Sequence, residues 1–398
     1  MNIEKAKKIL NKSICPTYGE RRLVLEYGSG CNVFDSSGKR YIDLLSGIAV
    51  SSLGHSHPKI IEAISCQVKK LIHVSNLYHN IPQLKLSEKL SEIVKNEYKM
   101  FYCNSGAEAN EAAIKLTRKY MSNPDKAGII TFFNSFHGRT MATVTATGQS
   151  KYHNPFRPLP PEFYYADFNN IESVKKLINK KMSAVMIELI QCEGGINLAE
   201  KKFVKELAEL CKKNRMLLII DEVQTGTGRT GKFFCFENYG IKPDIVTIAK
   251  GIAAGVPMGI MFARKNVAES FLPGDHASTF GGGPLACAAA EIVVDYLNES
   301  NLHKIFEKGE YFKKKICGLK HNLVKEVRGI GLIVGIELKK DCGNDIQVEA
   351  EKRGLLINSI HNNVIRIVPP LIIDRKTIDE SVKILKDTLN TVYSKLSK

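Results

Sequence analysis

Residues 184–223 read AVMIELIQCEGGINLAEKKFVKELAELCKKNRMLLIIDEV. AVMIELI (184–190) is an apolar run of strand length. KKFVKELAELCKK follows, with Phe203, Val204, Leu207, Leu210 and Cys211 on one helical face. MLLIIDEV (216–223) is a second apolar run. Strand, helix and strand make a βαβ unit, and strands apolar along their whole length predict a parallel sheet covered on both faces.

Working outward, MFYCNSG, GIITFF, IVTIAK and PMGIMFA read as further strands of that sheet. From about Pro284 the character changes. PLACAAAEIVVDYL reads as a helix with Pro284 suited to its first position. Single strands are predicted in GIGLIVGIEL, LLINS and VIRIVPPLII. A last amphipathic helix carries Ile378, Val382, Leu385, Leu389, Val392 and Leu396, with Thr377 and Glu380 as its capping box. The fold class expected is α/β: a large domain with a mostly parallel sheet over residues 60–285, and a smaller α+β domain over 286–398. Residues 1–59 are expected to complete the small domain.

Composition narrows the function. The chain has 398 residues, 44% of them apolar and 25% charged, ordinary values for a globular protein with ample core. No apolar run reaches the length of a membrane span, and the charged N-terminal stretch MNIEKAKKILNKSI predicts no signal peptide. Ten cysteines are scattered singly, without metal-ligand spacing, and Cys103, Cys211 and Cys287 lie in apolar stretches. That pattern fits a reducing cytoplasm and no metal centre. His55 and His57 in GHSHP lack a third ligand and read as structural. Net charge is +16, from 57 basic and 41 acidic residues. The lysines are spread along the chain and aromatics do not interleave with them, so neither a nucleic-acid nor a membrane partner is expected. A positive field would instead speed the arrival of small anions.

Chemistry concentrates at the predicted strand ends. In NSGAEANEAAIKL, Ser105 to Glu108 is a capping box opening a helix, whose free amides make an anion site that Gly106 lets a phosphate approach. Taken alone it reads as an ordinary capped helix. Asp221 ends the strand MLLIID, where a carboxylate can partner a protonated pyridine nitrogen. Lys250 in DIVTIAKGIAAGVPMG follows an apolar strand. A lone lysine there commonly snorkels, but desolvation also lowers its pKa and frees the amine to attack a carbonyl. Anion site, carboxylate and dry lysine at the ends of one sheet favour the second reading. In FHGRT, Arg139 suits a carboxylate and Phe136 a flat ring. Arg366, inside the apolar run VIRIVPP, needs a partner if buried, and Glu193 in IQCEGG is a candidate. Gly226 to Gly231 spells GxGxxG, but KFFCFENYG after it has no helical periodicity and Asp244 precedes the next strand, so a dinucleotide site is rejected.

These motifs together resemble the class III (ornithine-type) pyridoxal-phosphate aminotransferases, and most nearly their acetylornithine branch. The resemblance runs from about Tyr18 to Pro370 through SGIAVSSLGHSHP, FYCNSGAEANEAAIKL, FHGRT, PFRPLPP, IELIQCEGG, DEVQTGTGRTGK, PDIVTIAKG, STFGGGPLACAAA, VRGIGL and IRIVPPL. It implies the type I fold of pyridoxal-phosphate transferases and pyridoxal 5'-phosphate as cofactor. Lys250 then joins the cofactor aldehyde and Asp221 keeps the pyridine nitrogen protonated. Phe136 and Val223 flank the ring, Gln224 reaches its phenolic oxygen, and Ser105, Gly106 and Ala107 hold the phosphate. Thr279 reaches the phosphate in the neighbouring subunit, so a homodimer with shared sites is implied. Arg139 binds a substrate carboxylate with help from Tyr18 and Ser278, while Arg366 binds the α-carboxylate of glutamate and Glu193 neutralises it in the other half-reaction.

Three residues depart from the family pattern: Leu189 for the usual proline, Cys192 for glycine and Gly283 for asparagine. The activity implied is transamination between N2-acetyl-L-ornithine and 2-oxoglutarate in arginine biosynthesis. Ile48 in SGIAV fits the acetylornithine pattern rather than the tyrosine of ornithine enzymes. Ornithine δ-aminotransferase and transaminases of succinylornithine, succinyl-diaminopimelate or 4-aminobutyrate stay open, and a nicotinamide-dependent oxidoreductase rests on GTGRTG alone.

Overall fold

The computed structural model describes residues 1–397. Its centre is a seven-stranded sheet. In chain order the strands are β1 (Tyr98–Cys103), β2 (Gly128–Phe132), β3 (Phe163–Ala166), β4 (Met182–Ile187), β5 (Leu217–Asp221), β6 (Ile245–Ile248) and β7 (Gly259–Arg264). Their order across the sheet is β1-β7-β6-β5-β4-β2-β3. Six strands run parallel, and β7 returns antiparallel between β6 and β1.

Every residue of β4 and β5 is buried, as their unbroken apolar sequences require. The two-residue repeat of a strand divides them between faces. Val185, Ile187, Leu218 and Ile220 meet Phe203, Val204, Leu207 and Cys211 of the helix Lys201–Lys213. Ala184, Met186, Leu217 and Ile219 meet Ala112, Ala113, Ile114 and Leu116 of the helix Gly106–Met121. Each large side chain so buried contributes roughly 1.5–3 kcal/mol. The predicted βαβ unit is present, although β4 begins at Met182 and ends before Glu188.

Two smaller sheets lie outside the central one. Leu25–Ser29, Asn32–Asp35 and Arg40–Asp43 form an antiparallel meander, joined in parallel by Leu355–Leu356 from near the other end of the chain. Val324–Ile330, Ile333–Leu338, Val364–Ile367 and Asn358–Ile360 make an antiparallel sheet. GIGLIVGIEL is therefore two strands and a turn, because Gly331 takes φ +56 and reverses the chain. LLINS is likewise divided between the two sheets. VIRIVPPLII forms a strand only as far as Ile367, since Pro369 and Pro370 have no N–H for a ladder.

Pro284 does open the helix Pro284–Tyr296. The capping box expected at Thr377 and Glu380 is not formed. Asp374 caps the helix Arg375–Leu396 by accepting from Thr377 N at 2.8 Å, and Glu380 pairs with Arg40. Ile378, Val382, Leu385, Leu389 and Val392 are buried on that helix, but Leu396 is exposed in its last turn. Among the described residues, no helix is long and apolar enough to cross a membrane. GTGRTG forms turns, with Gly228 and Gly231 at positive φ, and leads into a short 3-10 turn rather than a helix start.

Candidate active site

The parallel strands carry their chemistry to one edge of the sheet, outside their C-terminal ends, where ligands of open α/β sheets bind. β1 leads to Ser105, Gly106 and Ala107, β2 to Phe136 and Arg139, β5 to Asp221 and Val223, and β6 to Lys250. These residues, with Gln224, line one cleft of about 420 Å³. A larger groove of about 1000 Å³ lies against the start of β5, lined by Lys126, Lys205, Lys212 and Arg215. It holds none of the candidate residues, so the smaller cleft is the site.

Ser105 caps the helix Gly106–Met121, its hydroxyl accepting from Glu108 N at 3.2 Å. Glu108 reaches back one residue further than the expected box, accepting from Asn104 N at 2.6 Å. The amides of Gly106 and Ala107, the first two of the helix, have no intrahelical acceptor and open on the cleft. A Cβ on Gly106 would stand 2.6 Å from Val223 Cγ1, so a larger residue would displace the side chain that walls the cleft.

Asp221 is buried, and its surroundings hold it in one orientation. Its Oδ2 accepts from Asn110 Nδ2 at 2.8 Å and from His137 Nδ1 at 2.7 Å, and its Oδ1 accepts from Val223 N at 3.0 Å. Asn110 is fixed in turn: its amide donates to the His137 carbonyl at 2.7 Å and its oxygen accepts from Thr247 at 2.7 Å. Asn110 and His137 are site residues the sequence reading missed. Asn110 was detectable as a large polar residue on a helix face shared with Gly106, Ala107, Ala113 and Ile114, and His137 stands between Phe136 and Arg139 in FHGRT.

Lys250 is half-buried and has φ +44, in the left-handed region that side chains disfavour by about 1–2 kcal/mol. Burial lowers the pKa of its ammonium, opposed by the charge of Glu193. Glu188, another residue missed, interrupts the apolar run AVMIELI. Burial and the neighbouring Asp221 charge push its carboxyl well above the usual range, and it accepts from Phe136 N at 2.8 Å.

Phe136 and Tyr152 flank the Arg139 guanidinium, which lies 4.1 Å from the Tyr152 ring centroid and 5.5 Å from that of Phe136. Arg139 is exposed at the cleft mouth, free to meet an anion. Glu193 and Arg366 do pair, although 173 residues separate them. Arg366 is 2% exposed, and it also donates to Gln224 at 3.3 Å and to Asn358 at 2.7 Å. Burial pushes the Glu193 carboxyl up, but the Arg366 and Lys250 charges outweigh it and hold it below its ordinary value.

Five expected residues do not line the cleft: Glu193 and Arg366 adjoin it through their bonds to Gln224, and three others stand apart from it. Tyr18 is exposed beside the N-terminal helix, against Arg21. Thr279 is exposed, and Ser278 is tied to Asn104 at 3.2 Å outside the cleft. Of the departures, Leu189 and Cys192 are fully buried, and Gly283 precedes the helix opened by Pro284. His55 bonds Asp43, as a structural histidine would, and His57 starts the helix Pro58–Val68.

The sequence profile described as aminotransferase class-III matches residues 16–389. The chain belongs to the class III aminotransferases. An acetylornithine aminotransferase of Methanocaldococcus jannaschii is 46% identical over 381 residues, covering 94% of this chain and 95% of that one. One from Aquifex aeolicus is 48% identical over 364 residues, covering 91% and 96%. Among solved structures, the N-acetylornithine aminotransferase of Stenotrophomonas maltophilia superposes with a TM-score of 0.84 at 34% identity, covering 97% of this chain and 99% of that one. The ornithine aminotransferase of Toxoplasma gondii superposes with a TM-score of 0.95 at 29% identity, covering 99% and 96%. The aminotransferase thus has the type I fold that the family resemblance implied.

Proposed function

We propose that this aminotransferase uses pyridoxal 5'-phosphate to move the terminal amine of N2-acetyl-L-ornithine to 2-oxoglutarate. The products are N-acetyl-L-glutamate 5-semialdehyde and L-glutamate, a step of arginine biosynthesis in the cytoplasm. The observation that carries this reading is the convergence of Lys250, Asp221 and the free amides of Gly106 and Ala107 on one cleft. Those donors fit a flat, phosphorylated, basic heterocycle with an aldehyde. Near-full-length identity of 46–48% to acetylornithine aminotransferases supports the choice of amine donor.

Bound there, pyridoxal phosphate supplies an aldehyde to take up the amine and a ring to draw electrons from the carbon that loses its proton. The chain does the rest. Lys250, its ammonium destabilised by burial, would supply the neutral amine that joins the aldehyde; displaced by the substrate amine, it would be free to take the proton from the substrate carbon and deliver it to the carbon on the far side of the nitrogen. Asp221 holds a proton on the ring nitrogen, and Asn110 and His137 keep its carboxylate aimed. Ser105, Gly106 and Ala107 would hold the phosphate, Phe136 and Val223 would flank the ring, and Gln224 would reach the ring oxygen. Arg139 at the mouth suits the α-carboxylate of acetylornithine, which lies far from the reacting amine, and Ser278 and Tyr18 would help only once brought to the cleft in the assembled enzyme. Glutamate reacts at its α-amine, so its carboxylate needs a cation deeper in the site. Arg366 is that cation, and Glu193 covers it when the other substrate is bound.

The division into residues 1–59, 60–285 and 286–398 belongs to the same reading. The parallel pairing of Ile42 with Leu355 supports assigning the N-terminal segment to the small domain. A homodimer with shared sites also belongs to it. Leu77 is 85% exposed, Tyr78 71%, Ile81 68% and Phe280 66%, an apolar surface that suits burial against a second copy. Thr279 lies beside it and would face the partner's site.

Ornithine δ-aminotransferase is the second reading, favoured by the higher TM-score to the Toxoplasma gondii enzyme. Backbone overlay is blind to side chains such as Ile48, so sequence identity weighs more on specificity. The test is glutamate formation from 2-oxoglutarate with acetylornithine, ornithine, succinylornithine and 4-aminobutyrate in turn. Acetylornithine is expected to give the highest kcat/KM. A clear preference for ornithine would overturn the assignment.

A further inference from the structure

The turn before His55 is bent against the normal preference of the chain. Ser46, Gly47, Ile48 and Ala49 have φ of +47, +64, +64 and +64. A β-branched residue with positive φ is a true outlier, and such strain persists only where the surroundings over-determine it. Here they do. Asp43 Oδ1 accepts from Leu45 N at 2.9 Å and from Ser46 N at 2.8 Å, while its Oδ2 bonds His55 Nε2 at 2.8 Å. Ser46 Oγ donates to the Val368 carbonyl at 2.6 Å, and Val368 N returns to the Leu44 carbonyl at 2.8 Å.

The segment after the turn ends against Gly251, the residue that follows the lysine. Ser52, 1% exposed, donates its hydroxyl to the Gly251 carbonyl at 2.6 Å, and its own carbonyl accepts from Leu371 N at 2.7 Å. A Cβ on Gly251 would stand 3.3 Å from both the Ala49 carbonyl and Ser52 Cβ, so the two segments touch without slack. The left-handed turn at residues 46–49 and the left-handed Lys250 are thus joined through their neighbours, by the one hydrogen bond from Ser52 to Gly251. Val50, between them, lines the cleft.

We propose that Ser52 is a positioning residue: carried by the segment that follows the left-handed turn and its Asp43–His55 clamp, it fixes the Gly251–Ile252 peptide immediately after Lys250 and so holds the backbone from which the Lys250 amine is aimed. The proposal rests on the reading of Lys250 as the acting amine. Ser52, Asp43 and His55 have no part in the proton transfer, and Ser52 bonds the carbonyl of the residue after the lysine rather than the lysine itself.

The test compares Ser52→Ala and Ser52→Cys with the unaltered full chain. Amide hydrogen exchange of the cofactor-free protein is expected to rise about tenfold in residues 250–254 of S52A and to stay unchanged in the helix Arg375–Leu396. In the loaded enzyme, the visible circular dichroism of bound pyridoxal phosphate is expected to change. Its kcat for acetylornithine should fall about tenfold while KM stays within about twofold. S52C, with the same shape and a weaker donor, should lie between. Unchanged local exchange together with unchanged dichroism in S52A would overturn the proposal, as would a loss of kcat that S52C does not partly restore. If S52A does not fold, Ser46→Ala, which cuts only the Val368 tie, should raise exchange in residues 250–254, and its failure to do so counts equally against the proposal. Lys250→Ala separates the two readings. If borohydride still fixes the cofactor to K250A, the lysine assignment itself fails, whatever Ser52 does.

Discussion

At the scale of single residues, the site is a set of charges held by neighbours that carry none. Asp221 is aimed by an amide, an imidazole and a backbone N–H, and Asp221→Asn tests whether its charge matters beyond its shape. The isostere fits the same space, so melting should change little. The rate should fall on the order of a hundredfold or more, which corresponds to about 2.7 kcal/mol of transition-state stabilisation. Steady-state kinetics beside thermal melting would read both, and an unchanged rate would remove Asp221 from the chemistry. Glu193→Gln takes the covering charge from Arg366. Turnover with acetylornithine should slow roughly tenfold while the glutamate half-reaction changes less, as single-turnover kinetics with each substrate would show. The same pair links stability to pH. Because the folded Glu193 carboxyl lies below its ordinary value, the Arg366 pairing stabilises the fold above the ordinary carboxylate range, and that contribution is lost as pH falls through the lowered value.

Legibility at this scale followed chemistry. Lys250, Asp221, Arg366 and Glu193 each stood out as a charge at the end of, or inside, an apolar run. Asn110 and His137 escaped because their work is done on other side chains, and a neutral residue in a helix or loop announces no partner. Tyr18, Ser278 and Thr279 were expected from family pattern, and the geometry of one chain does not gather them. Each lies on the surface, where a second subunit would have to complete the arrangement.

At the scale of elements, the unbroken apolar strands predicted their own burial, and β4, β5 and β6 lie where their sequences said they would. Prediction failed where a turn was hidden inside an apolar run. GIGLIVGIEL reads as one strand because nothing polar marks its middle, yet Gly331 reverses it. That turn is also a docking point. Gly309, in the helix Glu299–Cys317, packs so closely on Gly331 that a Cβ would overlap the Gly331 carbonyl. Gly309→Ala should therefore destabilise the protein by about 1–3 kcal/mol of overpacking. Helix propensity alone predicts a gain of up to about 1 kcal/mol, so the sign of the change in urea midpoint decides between them. The helix start at Arg375 shows a second kind of failure. Thr377 and Glu380 have the spacing of a capping box, but Asp374 lies three residues before Thr377 and its carboxylate takes the Thr377 amide first.

At the scale of the whole molecule, the apolar surface around Leu77 and Phe280 stays largely exposed among the described residues, with His73 packed beside Phe280. Replacing both with glutamate should yield a monomer by sedimentation and lower activity strongly, with the fold of each chain kept. A double variant that remains dimeric and active would place the subunit contact elsewhere. The net charge of +16 suits substrates that carry carboxylates, and its long-range pull should weaken as salt screens it.

The returning strand β7 has one more consequence. Because it lies between β1 and β6, the phosphate cradle and the lysine are set two strand spacings apart, about 10 Å at the backbone. The sheet is a gauge. An inorganic phosphate can satisfy one end of it and a small aldehyde the other, but neither spans both. On the proposed function, strand order would thus favour a ligand long enough to reach from the amides of Gly106 and Ala107 to Lys250.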